Sequence, residues 1–369
     1  MDVRIWFNRI WPARVHLIPM LRDNPDHARV QVYGTHPDPA APALTACDVV
    51  EPEPGEDEAF FDFAIDFCQR HDIDVIMPSS RLVALADRAE AFSAVDTRVM
   101  CGPAETLRAV TDKSRLYAAA ERSRVPVAPW RAVSDADGLR KAVQEFAGTD
   151  SALCVKPAGE YSAYGFRLLD DSPLKVSDFE RLPRPTASVP AVADALQHAQ
   201  DRGETVPELI VMPYLDPPEV SVDCLSDTAG TLVSAIARAK SGRVRTLVDD
   251  PDVMELARLA VGHFRLAYLS NVQFRYWKGQ PVLLEVNARA AAGIYQTRMT
   301  GVNLVWAAVR MLLCGDPGEV PKPMLGGRLA VVEDAIPLSD TVIPDSRARE
   351  RTPPPSPVGA PEANRTLSP

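Results

Sequence analysis

The sequence predicts a mixed fold, α/β followed by α+β: an N-terminal open parallel-sheet domain over residues 1–105, then a larger body to about residue 335. Three observations predict it. Apolar strand-like runs alternate with helical periodicities in the first hundred residues, the pattern of parallel β-α units. Two pairs of apolar runs about Gly230 and Gly279 predict antiparallel strands later on. The chain has 369 residues, too many for one core and enough for two or three domains.

Taken in order, Val3 to Asn8 predicts a buried strand and Ala13 to Arg22 the helix behind it. Val30 to Tyr33 predicts a second strand. Phe60, Phe63, Ala64 and Phe67 have helical spacing, which predicts a helix over Phe60 to His71. Asp74 to Met77 predicts a strand, Leu82 to Phe92 a helix and Arg98 to Cys101 another strand. The first turn, Phe7-Asn8-Arg9-Ile10-Trp11-Pro12, has no G-x-G-x-x-G pattern, which argues against a dinucleotide site and a dehydrogenase. Thr111 or Asp112 caps a helix running to about Arg124, where Val125-Pro126-Val127-Ala128-Pro129 breaks it. Ala152 to Lys156 predicts a strand, Val192 to Arg202 a helix, and Leu209 to Met212 a strand ended by Pro213. Val220 to Leu225 and Thr231 to Ala237 predict an antiparallel pair. Helices are expected over Val253 to Phe264 and Asn303 to Leu313. Asn271 to Trp277 and Pro281 to Ala288 predict a hairpin about Lys278-Gly279-Gln280. From about residue 336 the chain is proline-rich and almost free of aromatics, which predicts a disordered tail over 336–369.

Composition excludes several classes. The net charge of −10 argues against sequence-independent nucleic-acid binding. Six scattered cysteines without a C-x-x-C pair argue against a zinc site or disulfide framework and for a reducing compartment. No signal-like start and no apolar run of about 18 residues is present, so a cytoplasmic protein without membrane partners is expected.

The hairpin carries the chemistry. In Leu283-Leu284-Glu285-Val286-Asn287-Ala288-Arg289, the polar residues Glu285, Asn287 and Arg289 alternate with apolar ones and share one face. Asn271, Gln273 and Arg275 alternate likewise on the partner strand. With Gly279 as turn centre, Gln273 lies opposite Glu285, and a bulge at the glycine slips the register by one. Magnesium takes oxygen ligands, few from protein and the rest from phosphate and water, and Gln273, Glu285 and Asn287 offer that kind of ligand. Arg289 suits charge on a transferring phosphoryl group. A second stretch, Cys154-Val155-Lys156-Pro157-Ala158-Gly159-Glu160-Tyr161-Ser162-Ala163-Tyr164-Gly165, delivers a strand lysine to a glycine-bearing loop, a way to hold phosphates without the Walker pattern. In a third, an apolar strand ends at Met212-Pro213-Tyr214-Leu215, a stiff hinge with Glu219 shortly after. Arg298, Lys240, Arg243 and Arg245 are candidate anchors for a substrate carboxylate.

The ordered set resembles the ATP-grasp superfamily, including D-alanine–D-alanine ligase, carbamoyl phosphate synthetase and biotin carboxylase. Thr111-Asp112-Lys113, Lys156-Pro157, the hinge with its following acid, Asn271-Val272-Gln273-Phe274, Glu285-Val286-Asn287-Ala288-Arg289 and Thr300-Gly301-Val302-Asn303-Leu304 look like that family's segments in that order. The resemblance implies a two-lobed ATP-grasp body over 106–335 behind a pre-ATP-grasp domain, with a lid lobe over about 118–215 and a large lobe over about 216–335. It implies ATP and Mg2+, with Mn2+ as a substitute. Lys113 and Lys156 would contact the phosphates, with Glu160 and Ser162 at the polar positions of the loop. The backbone of Pro213, Tyr214 and Leu215 would meet adenine, and Glu219 would hold the ribose. Gln273, Glu285 and Asn287 would bind the metal, and Arg289 with Lys156 would serve the chemistry. Two departures stand out: Met212 occupies a hinge position often held by glutamate, and the loop carries Tyr161 and Tyr164 where Gly and Ser are usual. The implied activity is ligation of a small-molecule carboxylate to an amine through an acylphosphate, by a protein that is a possible homodimer. A bicarbonate- or carbamate-phosphorylating enzyme and a catalytically silent nucleotide-binding regulator are the alternatives.

Overall fold

Strand β1 (Asp2–Phe7) is buried along most of its length and takes a parallel neighbour on each side, as expected of an apolar strand between two helical layers. The other strands are β2 (Arg29–His36), β3 (Val49–Pro52), β4 (Val75–Ile76) and β5 (Arg98–Val99), giving a parallel sheet in the order β3-β2-β1-β4-β5. Strand β3 is a short edge strand outside the expected set, its residues alternating between half-buried and exposed. The computed structural model describes residues 2–160, 163–173, 175–180 and 183–332, so the expected tail and Ser162 lie outside the described residues.

Two expected helices are each broken in two. Residues 13–22 form Pro12–Val15 and Ile18–Arg22, because Pro19 enters as a first-turn residue of a new helix. Residues 82–92 form Leu82–Asp87 and Ala89–Ser93, joined at Arg88, whose φ of −113° and ψ of 15° depart from helical values. Asp112, rather than Thr111, caps Lys113–Ala120, its carboxylate accepting from the Arg115 amide at 3.0 Å.

A second sheet has the order β6-β10-β7-β8-β9, from β6 (Arg131–Val133), β7 (Leu153–Pro157), β8 (Arg167–Leu169), β9 (Thr186–Ala187) and β10 (Leu209–Pro213). Helices Ala136–Glu145 and Val189–Asp201 cover one face through Leu139, Ala142, Ala193 and Leu196. The third sheet is antiparallel, in the order β15-β14-β11-β12-β13-β16. It uses β11 (Asp216–Ser226), β12 (Leu232–Ser241), β13 (Val244–Val248), β14 (Tyr268–Trp277), β15 (Gln280–Asn287) and β16 (Arg328–Ala330). Helices Lys113–Ala120 and Pro251–Phe264 pack against one face, and Leu225, Ile236, Leu247 and Leu269 join a core shared with the first sheet and helix Leu304–Cys314. The described residues up to Val332 form one compact unit.

Asn303 shows why the Thr-Gly-Val-Asn-Leu stretch has its composition. Gly301 turns the chain at φ 83°, and Asn303 caps the helix through the Trp306 amide at 3.0 Å. Its Nδ2 also donates to the carbonyls of Met20 and Asp23 at 2.6 and 3.1 Å, tying the last helix to the first layer.

Candidate active site

The β14–β15 hairpin turns through Lys278 and Gly279, with φ of 50° and 78°, the two-residue turn that suits twisted strands. Trp277 therefore faces Gln280, and Phe274 faces Leu283, one residue off the register centred on Gly279. A bulge at Leu284 restores it, so Gln273 does face Glu285 and Asn271 faces Asn287. The irregularity lies at Leu284, well past the turn, rather than at the glycine. The bulged Leu284 carbonyl accepts from the Tyr117 hydroxyl at 2.7 Å.

This hairpin floors a cleft of about 690 Å3. Lys113, Lys156, Glu160, Pro213, Tyr214, Leu215, Glu219, Gln273, Glu285, Asn287 and Arg289 all line it, so the structure brings the candidates for nucleotide, metal and phosphoryl contact into one place. Of the four extra basic candidates, Lys240 and Arg245 line the cleft. Arg243 and Arg298 are exposed and do not line it.

Two ammonium groups sit deep at one side. Lys156 on β7 is 8 % exposed, and its Nζ donates to the Tyr117 hydroxyl at 2.8 Å. Burial holds its pKa below the ordinary lysine range, against the pull of Cys154 and Glu285. Lys113, at the start of its helix, is 7 % exposed and donates to the Glu160 carbonyl. Its pKa is likewise lowered, first by burial, with Glu285 opposing and Lys156 adding. Tyr117, which positions Lys156, was missed in the sequence. It lies one helical turn after Lys113, on the same face, and that spacing was the available signal.

The hinge follows β10. Tyr214 donates its amide to the Ala152 carbonyl at 2.7 Å, and its ring lies under the Arg275 guanidinium at 4.8 Å. Met212 is buried against Tyr117, so the glutamate of the resemblance has an apolar substitute there. Glu219 pairs with Lys240 directly across the strands β11 and β12.

Behind the hairpin face lies a buried polar chain. Gln273 Nε2 donates to Asn271 Oδ1 at 2.9 Å, and Asn271 Nδ2 donates to Asp223 at 2.9 Å. Asp223 is bound by Arg238 Nε at 2.6 Å, and Arg238 Nη1 donates to Gln296 at 2.9 Å. Asp223 and Arg238 are 0 % and 2 % exposed, so each neutralises a charge the other could not leave buried alone. Gly293 belongs to this set, since a Cβ there would stand 2.7 Å from Arg238 Nη1. The chain fixes the Gln273 amide nitrogen and leaves its oxygen as the acceptor end. Asn287 in turn donates to Glu285 Oε1 at 2.8 Å. Among the described residues no group of three or more His, Cys, Asp or Glu side chains gathers for a metal. One carboxylate with flanking amides fits a hard cation shared with phosphate oxygens rather than a cation caged by protein.

The parallel first sheet, the small second sheet with its lysine strand, and the antiparallel third sheet around this cleft make up the ATP-grasp fold. Residues 205–335, which carry the hinge, the antiparallel sheet and the hairpin, match the family described as ATP-grasp in the biosynthetic pathway with Ter operon. No curated protein sequence matches the chain. Among solved structures, it is similar to a biotin carboxylase complex from Campylobacter jejuni, at 15% identity and a TM-score of 0.62, covering 88% of this chain and 74% of that one. A biotin carboxylase domain dimer of 2-oxoglutarate carboxylase from Hydrogenobacter thermophilus, in complex with MgADP, ADP and bicarbonate, aligns at 14% identity and a TM-score of 0.62, over 88% of this chain and 73% of that one. An L-amino acid ligase from Bacillus licheniformis aligns at 15% identity and a TM-score of 0.58, over 85% and 74%. At these identities the likeness establishes the fold. Within the described residues no helix is long and apolar enough to cross a membrane.

Proposed function

We propose that the protein is an ATP- and magnesium-dependent ligase that activates a carboxylate as an acylphosphate and joins it to an amine, releasing ADP and phosphate. The carrying observation is the pair of buried ammonium groups, Lys113 and Lys156, facing one carboxylate and two amides across a single cleft. Buried cations call for an anion, and phosphates supply it.

Lys156 and Lys113 bind and orient the phosphates, and Tyr117 keeps Lys156 in place. The hinge from Pro213 to Leu215 offers backbone groups to the base, with Tyr214 and Phe166 as its apolar wall. Glu219 holds the sugar hydroxyls, steadied by Lys240. Glu285, Asn287 and Gln273 would hold the magnesium ion, which would supply charge neutralisation at the phosphates. Arg289 extends from the end of β15 to offset charge on the transferring group. The cleft walls exclude water from the activated acid. The test is ADP release and ATP-dependent mass gain with pools of carboxylic acids and amines. Release that needs both pools is expected. Tight MgADP binding with no release from any pool would overturn the ligase reading.

A further inference from the structure

Among the described residues, Arg14 is a buried charge that the proposed reaction does not use and that the fold satisfies only in part. It lies in the short helix after β1, 2 % exposed, with Nη1 donating to the Ala290 carbonyl at 2.7 Å. Its Nε and Nη2 are buried without a partner. The charge acting on it is the cation of Arg289, and burial followed by that repulsion lowers its pKa to about 9. A buried guanidinium with two unmet donors is destabilising unless a ligand completes it. A second unmet donor stands next to it: the Trp11 indole Nε1 is buried and without a partner. The Trp11 ring lies 5.4 Å from the Arg14 guanidinium and 5.7 Å from that of Arg289. Trp11 and Arg289 line the main cleft, while Arg289 and Arg14 line a small cavity of about 20 Å3, room for little more than one oxygen atom.

The same end of the cleft has a wall and a floor. His16 stacks on Tyr295 with ring centres 4.4 Å apart, and Ala291, Ala292 and Gly293 leave space beside them. We propose that this end is the acid subsite: Arg14, Arg289 and the Trp11 N–H take the carboxylate of a small organic acid, whose flat or apolar side group lies against His16 and Tyr295. This rests on the ligase reading, and it places the carboxylate beside Arg289, where that reading puts the transferring group. It gives the first layer of the fold a direct part in choosing the substrate.

The test uses the full chain with Arg14→Met, which removes the charge and keeps the stem, and Trp11→Phe, which removes the N–H and keeps a ring. The probes are benzoate, benzyl alcohol as its uncharged match, and inorganic phosphate, each with and without MgADP. Benzoate is expected to raise the melting temperature of the unaltered protein and benzyl alcohol to leave it unchanged. Benzoate affinity should fall about 10- to 100-fold in Arg14→Met, the loss expected for charge-assisted hydrogen bonds. Ligand-free Arg14→Met should melt about 2–4 °C higher than the unaltered protein, because an uncompensated buried charge is gone. A structural role for Arg14 moves that number the other way. Lower melting together with unchanged benzoate binding overturns the proposal. A response to phosphate but not to benzoate also overturns it and assigns the donors to a phosphoryl group. MgADP affinity, measured by calorimetry on the same samples, separates the two claims. Unchanged nucleotide affinity with lost benzoate response supports the subsite. Failure of the unaltered protein to bind MgADP removes the ligase reading, while the benzoate response without nucleotide still decides the subsite.

Discussion

Glu285 is the single carboxylate on the hairpin face, and its side chain meets the cleft rather than a core. Glu285→Ala should therefore leave the melting temperature within about 1 °C, as for substitutions outside the core. Its ADP release should fall by about a thousandfold or more, the scale of losing a charge-stabilising group. Turnover near that of the unaltered protein at ordinary magnesium would remove Glu285 from the metal set. Gly293 offers a sharper test of the buried chain behind it. An alanine methyl there needs the space of Arg238 Nη1, and Arg238 is held by both Asp223 and Gln296. Gly293→Ala is expected to destabilise by about 1–3 kcal/mol and to weaken metal-dependent turnover through Asn271 and Gln273. Urea unfolding and magnesium titration would check both, and an unchanged midpoint would show that Arg238 yields freely. That Glu285 and Asn287 share a face was legible from their alternation on a strand, and the place of Lys156 from a strand that runs into a glycine-bearing loop, while Arg289 lies just past the strand end and still lines the cleft. Arg14, Trp11, Arg238 and Asp223 were not legible. The hydrogen-bond partners of Asp223, Arg238 and Arg14 lie 15 to 276 positions away in the chain, and no local pattern carries that information.

The strands and helices show the same division. Apolar runs and caps marked the parallel layer, the hairpin and the helix starting at Lys113. Short strands such as β3, β8 and β9 carry no such mark, because a run of two to four residues has no period to detect. The bulge at Leu284 was invisible for another reason, since it answers the turn geometry and the Tyr117 hydroxyl rather than its own flanks. The loop after β7 has a testable behaviour. Glu160 accepts from Lys113 and lines the cleft, while Gly165 holds a φ of 68° with its missing Cβ 2.6 Å from the Pro157 ring. Phosphates arriving at Lys113 compete for that bond and recruit the loop. Hydrogen exchange at Gly159, Glu160, Tyr164 and Gly165 is expected to slow at least about tenfold when a non-hydrolysable MgATP analogue binds, an added protection of about 1.4 kcal/mol. Equal exchange, with binding confirmed by calorimetry, would show that another segment covers the phosphates.

Three sheets share two large cores; Cys154 and Cys224 lie in one, Cys47 packs against the other, Cys68 lies in a third cluster with Trp6 and Phe60, and Cys314 is exposed. Burial raises the thiols of Cys47, Cys68 and Cys101 from 9.0 to about 12 and that of Cys154 to about 11, and it raises Cys224 as well. The unfolded chain releases these protons first. Stability from this source is therefore complete below about pH 9 and is lost as pH rises toward about 12. Lys113, Lys156 and Arg14, with lowered values, act in the opposite sense over the alkaline range, but five thiols outnumber three cations. Urea midpoints should fall between about pH 8 and about pH 10.5, and Cys68→Ala should flatten that fall. A midpoint constant across the range would contradict the burial of the thiols.

The tie between the last helix and the first layer has a consequence for synthesis. Ile18, Met20 and Leu21 share a core with Leu304, Val305 and Trp306, and Asp26 receives both the Trp306 indole N–H and Arg310. Arg98 closes the other end by donating to the carbonyls of Leu312 and Leu313. The ribosome delivers those partners only after some three hundred residues, roughly 15–60 s later at ordinary elongation rates. Until then the newborn parallel sheet has one sticky flank open to its surroundings, and a chaperone that shields apolar surface has its opportunity in that interval.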